Sequence, residues 1–188
     1  MTNIIQYWDG PVSGDLEKLT QSWRDNNPGY RHIVFDKKMA GEFIKKNFVN
    51  EVYEAFLDVD IPAMACDIFR VAYILRKGGV YVDCGTFCNE PISDWGLDKK
   101  NLTLLRKNNG WVWNGFISAP SGNIVIKEIW DRIEECIIKR KDGNVWRLTG
   151  PRLFMDVCEY FSDVPFSFSG NKGRSYKSKH LNLIHQSD

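Results

Sequence analysis

The stretch from Pro62 to Asp83 constrains the fold more than any other part of the chain. After Pro62, the residues Met64, Ile68, Val71, Ala72 and Leu75 recur at helical spacing, and Gly78-Gly79 supplies a C-terminal stop. Val80-Tyr81-Val82 then reads as a buried strand that delivers Asp83 at its carboxyl end. A helix passing through two glycines straight into an apolar strand is one repeat of an α/β sheet. In such sheets the carboxyl ends of the strands are where ligands bind.

The preceding residues extend the pattern. Ile4, Ile5, Tyr7 and Trp8 form a short strand that stops at Asp9-Gly10-Pro11. Ser13 or Asp15 is placed to cap a helix carrying Leu16, Leu19 and Trp23, which Asn26-Asn27-Pro28-Gly29 ends. Tyr30 to Phe35 reads as a second strand, and Asp36 as the cap of a helix with Met39, Phe43 and Ile44 on one face. Strand, helix, strand, helix in this order predicts an α/β domain with a Rossmann-like, mostly parallel central sheet flanked by helices. Farther on, Leu102 to Leu105 and Val112 to Ala119 read as strands, Asn123 to Ile138 as an amphipathic helix, and Gly150-Pro151 as the opening of another that runs to about Phe161. Lys172, Arg174, Lys177 and Lys179 lie among Gly and Ser as a mobile basic loop, before a short Leu181 to Ile184 strand.

Length and composition narrow the function classes. With 188 residues, 43% hydrophobic and 26% charged, the chain is expected to be one globular domain: about 1–95 as the ligand-binding half, about 96–188 as a second half with the basic tail. A formal net charge of +1 gives no global field to recruit nucleic acid, and limits membrane association to a peripheral contact through the basic tail. The start, MTNIIQYWDG, has neither a basic n-region nor an apolar h-region, and no run of about eighteen apolar residues occurs, so a cytoplasmic protein is expected, at most peripheral at the inner membrane face. Five scattered cysteines (Cys66, Cys84, Cys88, Cys136 and Cys158) read as reduced thiols, although Cys84 and Cys88 have the spacing of half a zinc site.

Asp67 and Arg70 sit three apart, so they share one helix face. An isolated Asp-x-x-Arg is ordinarily a surface ion pair worth a few tenths of a kcal/mol. Here the pair lies within the most apolar helix of the chain and just ahead of a strand-end aspartate, which favours a cleft. Trp8 fits either a core position on the first strand or an exposed aromatic platform. Tyr81 alternates with Val80 and Val82 and so can face the opposite side of the sheet.

CDIFRVAYILRKGGVYVDCG resembles the sugar-nucleotide glycosyltransferases with an Asp-x-Asp motif. These include the small capsular-polysaccharide transferases, initiating α-mannosyltransferases of yeast type, and glucosylating toxins. Their pattern is a Ser-Asp-x-x-Arg helix followed by Gly-Gly-(Ile/Val)-Tyr-(Leu/Val)-Asp-x-Asp. IIQYWDG, LEKLTQSWRDNNPGYRHIVFD, WNGFISAPSGNIVIKEIW and TGP look like further landmarks in the same order, so the resemblance covers most of the chain. It implies a GT-A fold and transfer of a sugar from a nucleoside-diphosphate donor, most simply UDP-linked, to the hydroxyl of a glycan or other acceptor. Retention of anomeric configuration and a place in polysaccharide or glycoconjugate synthesis come with it. Carried over by position, Trp8 stacks on the nucleobase, Asp67 and Arg70 bind the donor sugar and help it leave the diphosphate, and Tyr81 leads into the motif. Asp83 is its first aspartate, Asn114 lies beside the donor sugar, and Thr149-Gly150-Pro151 is a turn near the acceptor side.

The chain departs from this pattern at one position: Gly85 stands where the second aspartate of the motif would be. The family implies Mn²⁺ or Mg²⁺, and glycine offers neither a ligand. Three outcomes follow: Asp83 with His180 or His185 from the tail holds a weakened metal site, the basic tail replaces the metal, or the chain is a catalytically degenerate member that binds nucleotide, glycan or a partner protein. For each histidine a solvent-exposed tail position is the ordinary reading.

Overall fold

The computed structural model describes residues 3–97, 100–107 and 110–161, with the backbone of Tyr176–Lys177 and Leu181–His185. The basic residues Lys172, Arg174 and Lys179, together with His180, lie outside the described residues, as do the side chains of Lys177 and His185.

Among the described residues, seven strands form one sheet in the order β2-β1-β3-β5-β4-β7-β6. They are β1 (Asn3–Tyr7), β2 (Arg31–Phe35), β3 (Gly79–Val82), β4 (Leu102–Arg106), β5 (Val112–Ala119), β6 (Tyr176–Lys177) and β7 (Leu181–His185). The helices are α1 (Asp15–Asn26), α2 (Lys37–Asn47), α3 (Asn50–Leu57), α4 (Pro62–Lys77), α5 (Ile124–Ile138), α6 (Val145–Leu148) and α7 (Pro151–Phe161). The pairings β2/β1 and β1/β3 are parallel, as the alternating strand–helix order requires. Beyond β3 the sheet is mixed: β5 runs antiparallel to both β3 and β4, while β7 is parallel to β4. The short connection between β4 and β5 permits only an antiparallel return, since a parallel one needs a crossover of a dozen residues or more.

Alternation along the strands separates two cores. Ile5, Tyr7, Tyr81, Leu104 and Ile117 face α2, α3, α4, α5 and α7. Ile4, Val80, Val82, Leu105 and Phe116 face the opposite way, onto Trp23 of α1, Ile92 and Trp95. Tyr81 thus points away from Val80 and Val82, toward α4. This helix is the centre of the larger core and is buried without a break from Asp67 to Ile74, which explains why its polar residues must find partners inside the protein. It ends where the sequence places the stop. Gly78 and Gly79 have φ of +63° and +104°, and a Cβ on them would lie 2.6 Å from Ser121 N and 2.7 Å from Asn3 O, so only glycine lets β3 enter directly beside β1.

Asp36 caps α2 as expected, accepting from the Met39 amide at 2.7 Å, but Met39 itself is exposed. Neither Ser13 nor Asp15 caps α1: the cap is Gly14, without a side-chain bond, and Asp15 is the first helical residue. Helix α3 has no counterpart in the sequence reading. Its cap is Val49, which makes no side-chain cap bond and so leaves no polar start signal. Among the described residues no helix is long and apolar enough to cross a membrane.

Candidate functional site

The carboxyl ends of β1 and β3 and the first turns of α4 enclose a cleft of about 410 Å³, lined among others by Trp8, Asp9, Pro62, Cys66, Arg70 and Asp83. Trp8 follows β1 directly. Its amide donates to Phe35 O at 2.9 Å, which pins the backbone to β2, while the residue remains 43% exposed. It is therefore a rim residue rather than a core tryptophan.

Behind the cleft lies a compact polar cluster. Arg70, 5% exposed, places Nη2 3.2 Å from Asp67 Oδ1 and 3.2 Å from Asp83 Oδ1. Its Nη1 donates to the Asn114 carbonyl at 2.7 Å, and its guanidinium lies 4.5 Å from the Tyr81 ring centre. Asn114 Nδ2 donates to Asp67 Oδ1 at 2.9 Å, and Thr149 Oγ1 to Asp67 Oδ2 at 3.2 Å. Both Asp67 oxygens are thereby occupied, and Asp67 stands behind Arg70 rather than on the cleft wall. The Tyr81 hydroxyl donates to Asp83 Oδ1 at 2.7 Å and lies 3.0 Å from Cys66 Sγ, which in turn accepts from Arg70 Nη2 at 3.0 Å.

Electrostatics follow from this burial. Loss of hydration pushes Asp67 up to about 6, against the pull of Arg70. Burial likewise raises the Cys66 thiol and the Tyr81 hydroxyl, so both stay protonated at neutral pH. The guanidinium is held charged by the groups around it. Two carboxylates surround one cation, so the cluster is net negative.

Asn114 reaches this cluster through an irregularity in β5. The β4 register steps from Leu104 opposite Ile117 to Leu105 opposite Trp113, leaving Asn114, Gly115 and Phe116 as extra length. A bulge re-aims side chains in this way. Gly115 is the tightest point: a Cβ there would lie 2.2 Å from Asp83 Oδ2 and 2.3 Å from the Trp113 ring, and its carbonyl accepts the Asp83 amide at 2.8 Å. Thr149 arrives from the far side, held by α6, whose Trp146 lies 4.9 Å from Trp111.

The structure brings together Asp67, Arg70, Tyr81, Asp83 and Asn114, with Trp8 on the rim of the same cleft. It also brings in four residues that sequence reading left without a site role: Cys66, Gly115, the hydroxyl of Thr149, and Gln6, whose amide reaches Asp83 O at 3.4 Å. A buried Thr ahead of Gly-Pro, and a Cys directly before Asp67, were the available signals. His185 ends β7, which is three strand steps from β3, roughly 14 Å at about 4.8 Å per step.

Among the described residues the donor set does not suit a protein-held metal. Asp83 Oδ1 is already engaged, Gly85 contributes no ligand, and no group of three His, Cys, Asp or Glu able to hold an ion occurs among the described residues. Cys84 and Cys88 are free thiols, with Cys84 Sγ donating to Tyr7 O at 3.4 Å and Cys88 Sγ to Glu90 O at 3.1 Å.

Residues 13–102 match the family described as the glycosyltransferase sugar-binding region containing DXD motif. The chain is 26% identical to an initiation-specific alpha-1,6-mannosyltransferase of Schizosaccharomyces pombe, over 85% of its own length and 48% of the relative. It is 23% identical to the enzyme of the same name from Candida albicans, over 78% of this chain and 48% of that one. The chain thus spans about half the length of these curated relatives. Among solved structures, the PaToxG glycosyltransferase superposes with a TM-score of 0.70 at 21% identity, covering 85% of this chain and 68% of that one, a likeness of fold.

Proposed function

We propose that this GT-A-type glycosyltransferase moves a sugar from a nucleoside-diphosphate donor, UDP-linked in the simplest case, to an acceptor hydroxyl with retention of configuration. The observation that carries the reading is the Asp67–Arg70–Asp83 cluster, locked by Asn114, Thr149 and Tyr81 beneath a cleft with an exposed tryptophan on its rim. Trp8 offers the base a flat apolar face. Pro62 and Ala63 bring the positive end of the α4 dipole to the wall where a diphosphate would lie. Asp83, with its side chain 33% exposed, faces the donor and accepts from its hydroxyls. Asp67 is a positioning residue: it fixes Arg70 and the Asn114 amide, so that the polar wall is set before the donor arrives and need not reorganise during transfer. No step here passes through a metal.

The test is donor hydrolysis by purified protein offered UDP-glucose, UDP-galactose, UDP-N-acetylglucosamine and GDP-mannose, with and without Mn²⁺. Release of free sugar from one donor, lost in Asp83→Asn, is the expected result. If the donors bind but none is ever cleaved, the enzyme reading fails and a nucleotide-binding role replaces it.

A further inference from the structure

Tyr7 is the last residue of β1 and lines the same cleft as Trp8, yet the proposed reaction gives it no task. Its side chain turns into the larger core, 5% exposed, with its ring centre 5.7 Å from that of Phe69. Its hydroxyl is buried and has no hydrogen-bond partner. Two other side-chain atoms among the described residues share that condition, Trp95 Nε1 and Thr103 Oγ1, and neither residue lines this cleft. A buried polar atom without a partner costs free energy unless something else satisfies it. Asp36, whose Oδ1 accepts the Met39 amide that caps α2, makes no hydrogen bond to the Tyr7 hydroxyl.

We infer that the Tyr7 hydroxyl is a recognition group for the nucleoside part of the donor, donating a hydrogen bond to an uncharged oxygen of the base or ribose while Trp8 holds the base by stacking. This rests on the donor-site reading above. Three observations select the nucleoside over the diphosphate. Tyr7 adjoins Trp8 in the chain and both line the cleft, so the two stand at the same end of it. The diphosphate end belongs to Arg70 and the first turn of α4. Finally, Asp9 and Asp36 are close enough to act on the Tyr7 hydroxyl electrostatically, and negative neighbours disfavour a phosphate oxygen there while leaving a neutral carbonyl or hydroxyl acceptable. Burial first, and those charges second, hold the phenol protonated at neutral pH, so it has a proton to donate.

A ligand role and a structural role predict opposite signs in one variant. Tyr7→Phe deletes an atom that has no partner in the free protein, so its melting temperature should stay level or rise. Its affinity for UDP, or for GDP if that is the nucleotide bound, should fall about five- to tenfold, the size of one lost hydrogen bond to a buried hydroxyl. The same factor should appear with UMP or GMP, and none with inorganic pyrophosphate, all read by isothermal titration. Equal nucleotide affinity in wild type and Tyr7→Phe overturns the inference while leaving the donor site standing. A loss that appears with pyrophosphate overturns the nucleoside assignment, and a clear fall in melting temperature shows the hydroxyl to be structural. If wild type binds neither UDP nor GDP, both this inference and the donor-site reading fall together.

Discussion

Gly115 adjoins Asp83 in space and Gly85 is near it in sequence, and the protein treats them in opposite ways. On the inner side, a methyl group at Gly115 would collide with the Asp83 carboxylate and the Trp113 ring, whereas a Cβ at Gly85 meets nothing within 4 Å. The inner side is crowded because Arg70, Tyr81 and Asn114 converge there and every polar atom of Asp67 is engaged. The outer side carries Trp8 and the Cys84-Gly85 turn, with Phe87 57% exposed just beyond. Packing therefore fixes where Asp83 points, while the rim stays free to change which ligand is taken. The missing second carboxylate falls on the permissive side, where the surroundings leave room for a side chain.

The largest effect should come from breaking the inner side. Arg70→Ala leaves Asp67 and Asp83 near one another without their cation, a loss of about 3–5 kcal/mol for a broken buried pair. At about 2–4 °C per kcal/mol for a chain of this size, thermal melting should show a drop of about 6–20 °C, together with loss of donor hydrolysis. A drop of a degree or two would mean that the cluster is not what holds α4 against β3.

Gly115→Ala comes next, with an overpacking cost of about 1–3 kcal/mol and a displaced Asp83 that lowers turnover more than tenfold. A melt and a hydrolysis assay on the same sample check both halves of that expectation.

Asp67 gives a pH signature. Its carboxyl rises from 3.8 to about 6 on folding, so between those values the folded protein holds a proton that the unfolded chain releases. That contribution to stability is complete below about pH 4 and is lost as pH rises through 6. Turnover runs the other way, falling below pH 6 as Asp67 protonates and loosens its hold on Arg70. The difference between wild type and Asp67→Asn, measured across pH 4–8, isolates both slopes. Parallel profiles for the two proteins would remove Asp67 from the acid limb.

At the rim, Trp8→Ala should weaken UDP binding by about 1–3 kcal/mol with little change in melting temperature. The smallest structural effect belongs to Gly85→Asp, which should stay within about ±0.5 kcal/mol of wild-type stability because the site is open and φ lies outside the left-handed range. Its gain should appear in Mn²⁺ titration, where a second carboxylate beside Asp83 makes a tighter site. A marked loss of stability in Gly85→Ala would show the rim to be as constrained as the inner side.

The sequence by itself determined the local elements around the site and the order of the chemistry. Apolar spacing in α4, the two glycines after it and the apolar run of β3 are short-range signals, and together they place Asp67, Arg70 and Asp83 on adjoining elements before any tertiary contact is known. The exposed or buried state of Trp8 was not decided locally, because a strand-end tryptophan suits a core and a rim equally well. The tertiary structure alone decided that Asn114 turns inward, since this depends on how β5 and β4 align across a bulge. It also decided that the hydroxyl of Thr149 reaches a carboxylate 82 residues away in the chain, and that Gly115 must be bare because two other side chains occupy its space. These are contacts between distant segments, set by the packing of the middle of the sheet against α4, and no periodicity or spacing within one segment encodes them. The orphaned hydroxyl of Tyr7 belongs with them: a tyrosine in an apolar strand looks like any other core residue until the partners around it can be counted.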